Sequence, residues 1–161
     1  MAARHLIGRG CRNIAFFGDP VSVEISQRYE GCKSALVAAG LMDQPTLWPA
    51  HLAEDVNVKE IEAFFSSDRE RPDGVVAASD VIAMSTLLAL TRKSIAVPEQ
   101  VRIVGYDDLP IASRISPRLT TVRQGFATGA THLIDCLFQR IGGEESASIV
   151  MKPELIERES A

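Results

Sequence analysis

The sequence has few of the features typical of a disulfide-stabilised, membrane or secreted protein. Its three cysteines (Cys11, Cys32 and Cys136) are widely spaced and form no C-x-x-C pair. This pattern favours reduced thiols in the cytoplasm over a disulfide framework or a zinc site. No apolar run approaches the roughly 20 residues of a membrane-spanning helix, and the N-terminal residues show no secretory apolar segment. These absences predict a soluble cytoplasmic protein.

Motifs for nucleotide chemistry and nucleophilic catalysis are also absent. The sequence has no G-x-G-x-x-G after its first predicted strand, no G-x-x-x-x-G-K-[ST] and no G-x-S-x-G. The dinucleotide, P-loop and hydrolase interpretations therefore lose their main support. The histidines His5, His51 and His132 are scattered without a ligand-spaced partner, which argues against a metal site or acid–base catalysis. We predict no cofactor, no metal and no catalytic residue.

The chain lacks the basic excess of a DNA-binding domain as well. Its 17 Lys and Arg residues stand against 21 Asp and Glu residues, which gives a net charge of −4. No cluster of Lys and Arg supplies a basic face, so this chain alone is not expected to bind DNA. Its 161 residues, 46% of them hydrophobic, suffice for one domain with a substantial core.

What the sequence does contain is an alternation of short aliphatic runs with longer amphipathic segments. The aliphatic runs predict strands at 13–17, 46–48, 75–78, 101–106 and 149–151. The amphipathic segments predict helices at 2–9, 23–39, 56–65, 80–90 and 126–141. A β-α-β-α series of this kind predicts a three-layer α-β-α fold with a mostly parallel sheet.

Polar side chains follow three of the predicted strands at their carboxyl ends, where open α/β sheets bind ligands. They are Asp19, Ser79, Asp80, Asp107 and Asp108. Arg28, early in the first long helix, can lean over the same edge of the sheet. An arginine fork opposite carboxylates suits a neutral polyhydroxy ligand, because each donor and acceptor can pair with a hydroxyl or ring atom.

Each of these residues has a structural alternative. Ser79 and Asp80 can cap the helix that they open. Asp108 can end a turn, and Arg28 can be a solvated surface side chain. Asp107 directly follows an apolar strand, so a ligand contact and a turn role are evenly balanced there.

Six motifs in order resemble the lactose/galactose repressor family of bacterial transcription regulators, over nearly the whole chain. They are A-R-H-L-I at 3–7 with Gly10 and N-I-A at 13–15, S-Q-R-Y-E-G at 26–31, P-D-G-V at 72–75 with D-V-I-A at 80–83, V-G-Y-D-D at 104–108, P-R-L-T-T-V at 117–122 and P-E-L-I-E-R-E-S at 153–160. Each motif is weak by itself, whereas six in the family's order and spacing are strong together.

The resemblance implies a core of the type I periplasmic-binding-protein kind, in which two α/β lobes enclose an effector cleft. Residues 1–161 would be mainly its C-terminal lobe. The family's DNA-binding helix-turn-helix and most of its first lobe would precede Met1, and the helices from Ala2 and Phe126 would contribute to that other lobe. With one wall of the cleft, this chain is expected to bind effector weakly. At Leu52 it departs from relatives that carry a stacking aromatic near that position.

Site residues are carried over from the resemblance position by position. Arg28 and Asp107 look like the effector-contacting arginine and aspartate of the family. Ser79 stands where relatives often place a ligand-contacting Asn or Gly. Asp19 and Ser22, in the loop after the first strand, are further candidates.

The resemblance also implies a homodimer formed through the core. The expected contact residues are Ile82, Met84, Leu87, Leu88 and Ile111, although helix periodicity turns at least half of them towards the core. The implied function is that of an effector-sensing and dimerisation domain of a repressor, with a sugar or nucleoside-like effector and with operator DNA bound through the absent N-terminal domain. A solute-binding protein of a sugar transporter and a flavodoxin-like enzyme are the alternatives.

Overall fold

The computed structural model describes residues 1–49, 54–67 and 70–161, with the backbone alone at 54–57. In chain order the elements are α1 (Ala2–Gly8), β1 (Ile14–Phe17), α2 (Val23–Ala38), β2 (Thr46–Trp48), α3 (Glu54–Phe64), β3 (Gly74–Ala77), α4 (Asp80–Arg92), β4 (Arg102–Tyr106), a 3-10 turn (Pro110–Ser113), β5 (Thr120–Arg123), α5 (Phe126–Ile141) and β6 (Glu154–Ile156). One predicted strand is wrong: residues 149–151 are not in a strand, and the strand that follows α5 is β6.

The strands of the described residues form one sheet in the order β2-β1-β3-β4-β5-β6. All pairs up to β5 are parallel, and β6 is antiparallel to β5. Every residue of β1 and β3 is buried, as expected for parallel strands covered on both faces. The helices pack in two pairs, α1 with α2 and α3 with α4. This arrangement confirms the predicted layered α/β fold with a mostly parallel sheet.

Aromatic side chains fill the core beside β1. Phe17 is fully buried, and its ring centroid lies 5.1 Å from that of Trp48 and 5.2 Å from that of Phe64. On the other face of the strand, Phe16 meets Tyr29 edge-on at 5.5 Å. Aromatic pairs at these separations add to the stabilisation from burial alone.

The residues expected at a dimer interface divide into two groups. Ile82 and Leu87 are 1% and 7% exposed and belong to the chain's own core, so these two are corrected to core residues. Leu88 and Ile111 are 45% and 44% exposed, and Met84 is half-buried. Helix periodicity is the reason, because one face of α4 packs on the sheet and α3 while the other faces solvent.

Helix α5 is the least buried element of the fold. None of its 16 residues is buried, and the large apolar side chains on its surface are Phe126, Leu133, Ile134, Leu137, Phe138 and Ile141. Ile149, Val150 and Met151 are exposed as well. A contiguous apolar surface of this kind typically marks a contact with another polypeptide. Among the described residues, no helix has the length and apolarity to cross a membrane.

These differences in burial predict different costs for the same substitution. Leu36→Ala removes a fully buried side chain and should lower the free energy of unfolding by about 2–5 kcal/mol. Leu133→Ala, on the exposed face of α5, should change it by less than about 0.5 kcal/mol. Urea unfolding of both variants measures the difference. Equal losses would show that α5 is packed against the rest of the chain in solution.

Candidate ligand cleft

A cavity of about 370 Å³ lies at the carboxyl ends of the central strands, beside the start of α1 and the first half of α2. Its apolar wall comes mainly from Phe16, Val76, Ala77, Tyr106 and Val122, and its polar wall from Glu24, Gln27, Arg28 and Gln124. Small-molecule sites are typically clefts of this size and character, mostly apolar with a few convergent polar groups. The topology therefore places a candidate ligand site where open α/β sheets bind their ligands.

Arg28 is held rigidly in the cavity wall. The Ser22 hydroxyl caps α2 by accepting a hydrogen bond from the backbone N–H of Ile25 at 3.3 Å, which fixes the helix start. Less than two turns later, Nη1 of Arg28 donates to the carbonyl of Ala78 at 2.6 Å. Its guanidinium carbon lies 3.8 Å from the ring centroid of Tyr106, a cation–π contact. Arg28 thus offers its remaining donors in a fixed orientation.

Asp107 lies next to the cavity, in a strained backbone conformation. Asp107 and Asp108 have φ angles of 111° and 52°, a region that non-glycine residues rarely adopt and that is often found at functional sites. The N–H of Asp107 donates to the carbonyl of Val122 at 2.8 Å. Its Oδ1 accepts a hydrogen bond from Nε2 of Gln124 at 2.9 Å. Gln124, and not Asp107, therefore forms this part of the cavity wall.

Asp108 has a structural role as the ion-pair partner of two arginines, a role that its sequence position did not indicate. Its two carboxylate oxygens accept from Arg158 and Arg123, each at 2.6 Å. Arg158 also donates to the carbonyl of Leu119 at 2.7 Å. Burial alone would raise the pKa of Asp108, but the hydrogen bonds and charges of Arg158 and Arg123 outweigh it and lower the pKa.

Asp80 is a fully buried carboxylate that holds the loop after β4 in place. Its Oδ2 accepts from the N–H of Leu109 at 2.7 Å, and its Oδ1 accepts from the hydroxyl of Thr121 at 2.5 Å. Gly105 permits this approach, because a Cβ there would overlap Asp80 Oδ1. Burial raises the pKa of Asp80, although the bonds from Thr121 and Leu109 oppose that shift.

The sequence-derived site residues are only partly brought together. Arg28 lines the cavity, and Asp107 contacts its wall through Gln124. Ser22 and Ser79 each cap a helix, and Oδ1 of Asp19 accepts from the N–H two residues on, at 3.3 Å. In the part of the chain that the structure describes, these three are not among the lining residues. Leu52 lies outside the described residues.

Three lining residues were missed from the sequence. Glu24 stands four residues before Arg28, and Gln27 stands directly before it. The i, i+4 spacing on α2 puts Glu24 on the same face as Arg28, and this spacing is the signal that could have identified Glu24. Gln124 follows β5 as an ordinary polar residue, and nothing in its neighbourhood indicates a contact with Asp107.

The described residues contain no group of three or more His, Cys, Asp or Glu side chains placed to hold a metal ion. Cys32, which lines the cavity, is buried, and burial raises the pKa of its thiol to about 12. That thiol stays protonated at neutral pH and is a weak nucleophile.

The sequence is similar to known proteins along nearly its whole length. Residues 3–161 match the family described as periplasmic binding protein-like domain. The chain is 31% identical, over 163 residues, to the HTH-type transcriptional repressor PurR of Pasteurella multocida, covering 99% of this chain and 49% of that protein. The chain therefore spans about half the length of the curated relatives it matches.

The fold is similar to solved transcription regulators. The regulator GntR from Chromobacterium violaceum superposes with a TM-score of 0.89 at 31% identity, over 98% of this chain and 59% of that one. The regulator CelR in complex with cellobiose gives 0.85 at 30% identity, over 99% and 50%. The Escherichia coli repressor ascG gives 0.89 at 26% identity, over 99% and 59%.

The buried Asp80 carboxylate predicts a large stability effect. Asp80→Ala leaves the N–H of Leu109 and the hydroxyl of Thr121 without their acceptors. The free energy of unfolding should fall by about 2–4 kcal/mol. Asp43→Ala, at an exposed position, is the matched control and should be nearly neutral. Denaturant unfolding gives both values, and a neutral Asp80→Ala would contradict the role assigned to this carboxylate.

The lowered pKa of Asp108 predicts a pH-dependent contribution to stability. A carboxyl whose folded-state pKa lies below its unfolded value of about 3.9 stabilises the fold above that value, and this contribution is lost as the pH falls through the folded pKa. Asp108→Asn should therefore cost about 1–2 kcal/mol at pH 7, because solvent screens the exposed Arg123 side of the pair, and less near pH 3. Unfolding at the two pH values tests this, and a cost independent of pH would refute it.

Proposed function

Because the chain belongs to the periplasmic binding protein-like domain family, of the lactose/galactose repressor type, we propose that it is the effector-sensing part of a transcription regulator. The observation that carries the proposal is Arg28, fixed by the Ala78 carbonyl and the Tyr106 ring in the wall of a 370 Å³ cavity. A cation preorganised in this way recognises a small ligand without the cost of ordering a flexible side chain.

The chemistry of the cavity wall favours a neutral, hydrogen-bonding ligand. Arg28 and Glu24 contribute one charge of each sign, and the amides of Gln27 and Gln124 each offer a donor and an acceptor. Asp107 is the proposed hydroxyl acceptor, and Ser79, Asp19 and Ser22 border the same edge of the sheet. Sugars and nucleosides both fit this description, and the structure of CelR was solved with cellobiose. Sites built from such groups reject analogues that lack the matching hydroxyl.

The rest of the regulator would complete the cleft and supply DNA binding. We propose that residues 1–161 are the C-terminal part of the effector-binding core, as the resemblance of their motifs implies, and that the rest of the core lies in the half of the relatives' length that they do not cover. The apolar surface of α5 supports this, because a first lobe packed there would cover side chains such as Leu133 and Phe138. Operator DNA would be bound by a helix-turn-helix outside this chain. The protein would act in the cytoplasm, without enzymatic activity or a cofactor.

We also propose that the regulator is a homodimer. The exposed side chains Leu88 and Ile111, with the half-buried Met84, supply apolar surface on α4 and on the 3-10 turn after β4. Such residues form the apolar centre of symmetric interfaces. The similarity to transcriptional repressors supports a regulator over a solute-binding protein.

Ligand-dependent melting of the full-length regulator tests the proposed function. A panel of cellobiose, monosaccharides and nucleosides should contain a compound that raises the melting temperature, since a ligand at 100 times its Kd stabilises by about 2.7 kcal/mol. The isolated 161-residue chain should respond much less, because it supplies one wall. Arg28→Ala should weaken binding at least about tenfold, whereas Arg114→Ala, at an exposed position, should not. A full-length protein that responds to no member of the panel would contradict the proposal.

A further inference from the structure

Gln124 occupies the connection between the sheet and α5. It follows Arg123, the last residue of β5, and precedes Gly125, the N-cap of α5. Its carbonyl accepts a hydrogen bond from the N–H of Phe126 at 2.8 Å, and the N–H of Gly129 donates to the carbonyl of Gly125 at 2.8 Å. The backbone of Gln124 is therefore part of the structure that starts the helix.

The side chain of Gln124 points to the cavity. Its Nε2 donates to Asp107 Oδ1 at 2.9 Å, and the residue lines the cavity together with Arg28 and Tyr106. Through its side chain, Gln124 thus contacts Asp107, the proposed acceptor of a ligand hydroxyl. Through its backbone, it contacts the first turn of α5. Among the described residues, no other glutamine both lines the cavity and lies at the start of α5.

Ion pairs hold the residues around the chain just before Gln124 in place. Asp108 binds Arg123 and Arg158, and Arg123 also pairs with Glu154 at the start of β6, at 3.7 Å. These ion pairs tie the loop after β4 to β5 and β6. Because these ion pairs hold the strand ends in place, we expect a shift of the Asp107 side chain to leave them unmoved. Gln124 is the first residue after this fixed region.

We propose that Gln124 is the positioning residue that reports an occupied cleft to α5. This inference rests on the proposed function and specifies how the site is read out. A ligand hydroxyl that donates to Asp107 competes with the Gln124 amide for the same carboxylate. The amide shifts, and the first turn of α5, built on the same residue, responds. Asp107 and Gln124 then make different contacts with and without ligand. Coupling between the cleft and α5 requires such a difference.

A donor–acceptor swap tests the connection without any ligand. At pH 7, Gln124→Glu places a second carboxylate beside Asp107, so hydrogen exchange at the amides of Phe126 and Gly129 should become at least about tenfold faster. Asp107→Asn alone keeps an oxygen acceptor and should exchange like the wild type. The double variant Asp107→Asn with Gln124→Glu reverses the direction of the bond, because the new amide at position 107 donates to the new carboxylate at position 124. The protection should then return.

Two further variants keep the test decisive. Gln124→Leu removes the amide without adding charge and should match Gln124→Glu, which covers a failure of the charged variant to fold. Gln139→Glu adds the same charge at an exposed position of α5 and should leave both amides unchanged.

The inference is overturned if Gln124→Leu and Gln124→Glu leave exchange at Phe126 and Gly129 unchanged, or if the double variant exchanges like Gln124→Glu. Because no ligand enters this experiment, a negative effector screen would count against the proposed function alone. A positive screen with a failed swap would remove only the role of Gln124.

Discussion

The carboxylate of Asp80 is the interaction on which the site depends. It is buried at the start of α4 and binds both the loop after β4, through Leu109, and β5, through Thr121. Burying a charge is costly unless it is fully hydrogen-bonded, so this arrangement persists only with both partners in place. Three elements are thereby fixed relative to one another, and Asp107 and Asp108 are the two residues of this loop that directly precede its anchor point, Leu109.

The polar groups of the site are held in two distinct ways. Arg28 is positioned by a backbone carbonyl and an aromatic ring, both uncharged partners. Asp108 is positioned by ion pairs with two arginines. Asp107 instead has a neutral amide as its partner. A ligand hydroxyl can replace an uncharged partner at little electrostatic cost. The contact that a ligand can most easily replace is therefore the hydrogen bond between Gln124 and Asp107, beside the cavity.

Local patterns sufficed to predict the fold but not the site. The helix at 126–141 and the caps Ser22 and Ser79 could be read from neighbouring residues, and family resemblance supplied Arg28. The apolar run at 149–151 was mistaken for a strand because strand formation needs a partner, and β5 pairs with β6 instead. The roles of Asp80 and Gln124 depend on contacts 29, 41 and 17 residues away, which no local pattern indicates.

The left-handed backbone at Asp107 has a consequence for how the cleft can diversify. A φ of 111° is tolerated by glycine and, among residues with a side chain, mainly by aspartate and asparagine. A new ligand preference at this position is thereby biased towards an oxygen acceptor, an amide or an empty space. Hydrocarbon and long cationic side chains are disfavoured by the main chain before any ligand selects against them. New specificities therefore arise more readily at positions with ordinary backbone geometry, such as those of Glu24 and Gln27 on α2.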